Sequence, residues 1–240
     1  MTALSALDWW QRAGVDTVVA DAPRDWLAPP EPRNATALPP SAASAAPAPP
    51  STVAPPTVPP PATLAAMHAL LAAAPVFGEG GIRLAPEGDP ASGLMVLIDM
   101  PEPEDAAAGH LLAGKTGLLF ERMLAAIGRD RASVYFAAIT PARPLGGALP
   151  PAVAAEHARL ALHHVALAAP RAVLLMGSGA SCAILGADLL ETRGRLHTVA
   201  PGATPCAAIA TFHPRFLFKQ PARKAGAWRD LRLLAGALAR

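Results

Sequence analysis

Four short, largely apolar runs divide the C-terminal part of the chain: residues 94–99 (LMVLID), 133–139 (SVYFAAI), 171–176 (RAVLLM) and 206–211 (CAAIAT). Runs of this length without apolar/polar alternation predict strands buried on both faces. Longer segments with helical spacing lie beside them. Residues 117–127 (GLLFERMLAAI) predict an amphipathic helix closed by Gly128. Residues 151–168 predict a helix rich in Ala, Leu and His, 179–186 a short helix, and 221–238 a terminal helix with proline near its start. Strands alternating with helices predict an α/β fold with a mostly parallel sheet covered on both faces. Ligands on such sheets sit beyond the carboxyl ends of the strands. Those ends are Asp99–Asp105, Ala138–Pro144, Gly177–Ser181 and Phe212–Arg215.

Proline changes the picture upstream. Thirteen of the 28 prolines fall between Pro29 and Pro61, in a stretch of Pro, Ala, Ser and Thr. Proline removes amide donors and fixes φ, so neither helix nor ladder forms there. Residues 29–63 therefore read as a semi-extended linker, disordered in isolation. It separates a short helical segment, residues 1–28, from a folded domain at 64–240. Leu4, Leu7, Trp9 and Trp10 share one face of that segment, a surface for docking on the main body or on a protein partner.

The net charge of +2 hides an asymmetry. Residues 79–105 hold seven acids and one base, whereas residues 193–240 hold nine bases and one acid, Asp230. Seventeen of the twenty basic residues are Arg, whose forked donors suit phosphate. The basic quarter is either a phosphate-contacting surface or a solvated helical face. Two cysteines, Cys182 and Cys206, are too few for a disulfide scaffold or a four-thiolate metal site. No run reaches the ~18–20 apolar residues of a membrane span. The first residues have neither the basic nor the apolar region of a secretion signal. A cytoplasmic protein without membrane contact is expected.

Three motifs invite a chemical reading. Gly109–Thr116 (GHLLAGKT) satisfies the phosphate-loop pattern letter for letter, yet the preceding strand ends at Asp99, well upstream. Gly177-Ser178-Gly179 reads as a tight strand-to-helix turn, lacking the third glycine of a dinucleotide fingerprint. Thr211-Phe212-His213-Pro214-Arg215 places a histidine at a strand end, with proline fixing the chain behind it. The other histidines show no metal-ligand spacing; His157, His163 and His164 lie on one helix and read as surface or half-buried.

Taken together, these pieces resemble the uracil-DNA glycosylase superfamily, within it the bacterial iron–sulfur, family-4-like branch. The carrying segments are GDPASGLMVLIDMPEPED, GHLLAGKTGLLFERMLAAIGRDRASVYFAAITPARP, PRAVLLMGSGASCAILG, TRGRLH and ATFHPRFLFKQPARKAGAWRDLRLL, spanning most of residues 88–235. The resemblance implies a three-layer αβα sandwich and hydrolysis of the N-glycosidic bond of a flipped-out uracil, in DNA repair. It implies a carboxylate beside the sugar, an aromatic stacked on the base, an asparagine reading its edge, and a histidine stabilising the leaving uracil.

Carried over residue by residue, the resemblance implies a degraded pocket. The family's Gly-Glu-x-Pro-Gly falls on Ile98-Asp99-Met100-Pro101-Glu102, so a carboxylate survives at Asp99 while both glycines are lost. The stacking aromatic falls on Leu112, two residues before Gly114, and the base-reading asparagine on Ala138. Only His213 with Pro214 is intact. The expected catalytic pair is thus Asp99 and His213. Pro101, Glu102, Leu112, Gly114, Ala138 and Pro214 line the base pocket, and Arg193, Arg195, Arg215 and Lys219 contact DNA phosphates. Cluster thiolates are missing, since two of their positions fall near Ala142 and Ala158. The expectation is a DNA-repair or DNA-binding protein with weak or no uracil excision and neither cluster nor metal. Two alternatives stay open: a non-catalytic protein tethered through residues 1–63, and a nucleotide binder using Gly109–Thr116.

Overall fold

In a computed structural model of the chain, residues 58–77 and 81–239 are described. The segment at 1–28 and the linker as far as residue 57 lie outside them.

The described residues build a six-stranded sheet flanked by helices. The strands are β1 (Glu87–Gly88), β2 (Leu94–Ile98), β3 (Tyr135–Ala138), β4 (Ala172–Met176), β5 (His197–Val199) and β6 (Cys206–Thr211). Their order is β1-β3-β2-β4-β6-β5. The central four run parallel, with Val96 beside both Phe136 and Leu174, and Leu174 beside Ile209. The two outer strands, β1 and β5, pair antiparallel. All four predicted strands are present. Every residue of β2, β3 and β4 is buried, which is why these strands lack alternation.

The helices are α1 (Leu64–Ala73), α2 (Asp105–Ala108), α3 (Gly114–Ala125), α4 (Pro151–Ala168), α5 (Ser178–Leu185), α6 (Leu189–Thr192), α7 (Pro214–Lys219) and α8 (Lys224–Leu238). In α3, Thr116, Gly117, Phe120, Met123 and Leu124 face inward at helical spacing. Helix α4 opens with Pro151 at its first position, where the missing N–H has no helical partner anyway. Helix α8 presents Ala227, Asp230, Leu231 and Leu234 to the core.

Strand β3 lies on one side of β2, whereas β4 and β6 lie on the other. Right-handed crossovers in opposite directions put α3 and α4 on opposite faces, giving the three-layer α/β fold. The reversal leaves a crevice between the carboxyl ends of β2 and β4, where Asp99 and Gly177 emerge.

Two expectations need correction. The linker placed at 29–63 already belongs to the folded body at Val58. The Val58 amide donates to Glu156, Arg159 donates to the Val58 carbonyl, and His163 bonds the Pro61 carbonyl. Nor are two of the three α4 histidines at the surface or half-buried, because His157 and His164 are buried; His163 is half-buried, as expected. His157 bonds Thr140 through Nδ1 and the Val76 carbonyl through Nε2. His164 and His68 each place Nε2 2.6 Å from the Tyr135 hydroxyl, tying α1 and α4 to β3.

Candidate functional site

The loop after β2 is organised by a residue the motif reading passed over. Asp105, at the start of α2, is fully buried, and its carboxylate accepts three backbone N–H groups. Oδ2 takes those of Glu102 and Leu112, and Oδ1 that of Ala113. Glu87 takes the Leu111 amide. The amides of Leu111, Leu112 and Ala113 in the GHLLAGKT loop are therefore already occupied. Helix α2 also stands between that loop and β2, so the loop does not follow its strand directly as a phosphate loop does. Leu112 adopts φ 49°, and Gly117 permits it, since a Cβ on Gly117 would lie 2.0 Å from the Leu112 carbonyl oxygen.

Closing this loop turns Glu102 inward. Its side chain is 4% exposed, with Oε2 3.0 Å from Nη1 of Arg215 and Oε1 3.6 Å from Nδ1 of His213. Burial pushes the Glu102 carboxyl above its usual value, against the pull of Arg215 and then Arg143. Arg143 donates to the carbonyl of buried Pro101.

His213 caps α7. Its Nδ1 accepts from the Arg215 amide, and Pro214 occupies the first helical position. An accepting Nδ1 puts the ring proton on Nε2. That Nε2 is buried and has no hydrogen-bond partner among the described residues. Burial, followed by the nearby Arg215 charge, lowers the His213 pKa to about 3. The ring is therefore neutral and offers one unused donor. Glu102 beside it makes no ion pair with it.

Asp99 leaves the end of β2 partly exposed. It packs on the β4–α5 turn, where a Cβ on Gly179 would fall 2.5 Å from the Asp99 Cβ. A glycine at 179 is thus the condition for the carboxylate's position. Two clefts meet at Asp99 and Gly179. One, of about 590 Å³, is bordered by His213, Arg215, Phe216 and Lys219. The other, of about 370 Å³, opens toward α4 between Met100, Ile139, Ala158 and Cys182.

The remaining expected site residues are placed as follows. Leu112 and Ala138 are buried and border neither of these clefts. Gly114 opens α3. Arg193 is held by Asp230 at 2.9 Å and lies over the Phe212 ring, 4.3 Å from its centre. Arg195 is exposed and donates to the Glu191 carbonyl. Of the four expected phosphate contacts, Arg215 and Lys219 border a cleft. Cys182 is exposed, whereas Cys206 is buried. Ala142 and Ala158 carry no thiolate, and two cysteines cannot supply four ligands, so the donor set does not fit a [4Fe–4S] cluster. No metal-ligating cluster is found among the described residues. Among them, too, no helix is long and apolar enough to cross a membrane.

A family model described as the Uracil DNA glycosylase superfamily matches residues 85–232, more than half of the chain.

Proposed function

The chain belongs to the uracil DNA glycosylase superfamily, and from that membership we propose a DNA-binding protein of glycosylase fold in which uracil excision is weak or absent. The observation that carries this reading is the buried Glu102 carboxylate, 3.6 Å from the His213 ring. Excision needs a donor aimed at the negative charge growing on the departing base. His213 retains that donor in Nε2–H, but Glu102 sets a negative charge against the other, Nδ1 edge of the same ring. Ala138 has no hydrogen-bonding head to read a base, and Leu112 has no ring to stack on one. Where excision persists, Asp99 orients the attacking water or balances the sugar cation, and His213 stabilises the leaving base. Arg195, Arg215 and Lys219 bind backbone phosphates. No step passes through an iron–sulfur cluster.

Single-turnover cleavage of uracil-containing DNA, beside electrophoretic DNA binding across a salt series, tests this. Salt-sensitive binding with little or no cleavage is expected. Cleavage comparable to an intact relative, abolished by His213→Ala, overturns it.

A further inference from the structure

The cleft on the α4 side of Asp99 plays no part in the excision reading, and its chemistry is distinctive. Its volume of about 370 Å³ falls within the roughly 300–1,000 Å³ of small-ligand pockets. Most of its wall is apolar, from Met100 and Ile139 to Ala154 and Ala158. The polar side chains on it are few. Thr140 and His157 are bonded to each other, and His157 also to Val76. The Asp99 carboxylate makes no hydrogen bond or ion pair among the described residues. An apolar slot with one free carboxylate at its edge takes a flat, apolar ring whose rim carries N–H donors.

Asp99 also borders the larger cleft, where Arg215 and Lys219 supply positive charge and the buried His213 Nε2 lacks a partner. A ligand joining a donor-edged ring to a phosphate spans both clefts across Asp99 and Gly179. Bases differ in how they meet a carboxylate. Guanine offers two adjacent donors, N1–H and the N2 amino group. Hypoxanthine keeps one of them. Uracil offers N3–H between two carbonyl oxygens, which repel a carboxylate.

We infer that the α4-side cleft is a binding pocket for a guanine nucleotide, with Asp99 accepting from the guanine N1–H and N2–H edge and Arg215 and Lys219 holding its phosphate. The same chemistry is presented by free GMP and by a guanine in single-stranded DNA. In its DNA arm alone the inference rests on the DNA-binding reading above.

Calorimetric titration of the full chain with GMP, IMP and UMP tests it, beside an oligonucleotide of eight thymidines around one guanosine and an all-thymidine control. Expected is binding of GMP at least about tenfold tighter than UMP, with IMP between them. Asp99→Asn should remove this preference, and Ala158→Leu, which fills the slot, should remove GMP binding. Cys182 lies on the cleft wall and Cys206 is buried. GMP should therefore slow modification of Cys182 by a thiol reagent, and UMP should not. A guanine preference in the oligonucleotide pair alone identifies DNA as the source; a preference with GMP as well admits the free nucleotide. Absence of any guanine preference overturns the inference, as does GMP saturation that leaves Cys182 reactivity unchanged. With no GMP preference, equal binding of both oligonucleotides sinks the guanine pocket while sustaining DNA binding, and binding of neither removes both; a GMP preference without an oligonucleotide preference sustains the pocket for the free nucleotide.

Discussion

Glu102 and Arg215, far apart in sequence, meet at 3.0 Å beside the Nδ1 edge of His213, and the pair is lopsided. The carboxylate is 4% exposed, whereas the guanidinium side chain is 43% exposed. The buried member lies 3.6 Å from His213 Nδ1, on the ring edge away from the free Nε2, and the exposed member borders the basic cleft. Glu102→Gly should therefore raise single-turnover uracil excision about tenfold or more above the parent chain, by clearing both bulk and negative charge. Glu102→Gln, which clears charge alone, should give a smaller rise. His213→Ala in the Glu102→Gly background should abolish the gain. No rise in either variant would mean that Glu102 is not what limits excision.

Asp105 supports this arrangement from beneath. Asp105→Ala leaves three buried N–H groups without an acceptor, at a cost of about 1–3 kcal/mol each before the loop relaxes. Urea denaturation should show a loss of several kcal/mol, larger than for alanine at exposed Glu104. A loss below 1 kcal/mol would mean that the loop holds its shape without the carboxylate.

The four long strands and the helices at 151–168 and 221–238 were legible because apolar runs and helical spacing are local signals. Strands β1 and β5, two and three residues long, carry no periodicity. Helix α1 (LAAMHALLAA) is apolar nearly all round, so it shows no contrasting faces. The histidine at the end of β6 was legible from His213-Pro214. The role of Asp105 was not, because its three bonds depend on a loop returning from Glu102 to Ala113. The inward turn of Glu102 was hidden for the same reason. Its position was readable, but its burial depends on Arg215 and His213, more than a hundred residues away.

Acid should unfold this protein through its histidines. Burial holds both His164 and His213 at about 3, against an ordinary 6.5, and pushes His157 down as well. The folded state refuses protons that the unfolded state accepts, so stability is full above pH 6.5 and falls as pH drops toward 3. Within that window each such histidine contributes a slope of about 1.4 kcal/mol per pH unit. Glu102 and Asp230 act with the opposite sign. Burial raises their carboxyls, so their penalty grows as pH rises above the ordinary carboxylate value. Urea midpoints measured from pH 7.5 to 4.5 should fall steeply; a flat profile would contradict neutral buried histidines.

Tyr135 offers a separate check on the interior. Its hydroxyl meets two imidazole nitrogens, both at 2.6 Å, so one ring donates to the oxygen and the other accepts its proton. Tyr135→Phe leaves both nitrogens without that partner. A destabilisation of about 1–3 kcal/mol is expected by urea denaturation at neutral pH. An unchanged midpoint would show that water replaces the hydroxyl.

The short outer strands have a consequence for how the protein behaves at high concentration. Four largely apolar parallel strands, had one of them lain at the rim, would offer unpaired backbone groups to any neighbouring chain. Here β1 covers β3 for two residues and β5 covers β6 for three, both antiparallel. Strands so short make poor templates for sheet extension between molecules. The least conspicuous elements of the sheet thus guard its most sequence-evident strands against edge-to-edge aggregation.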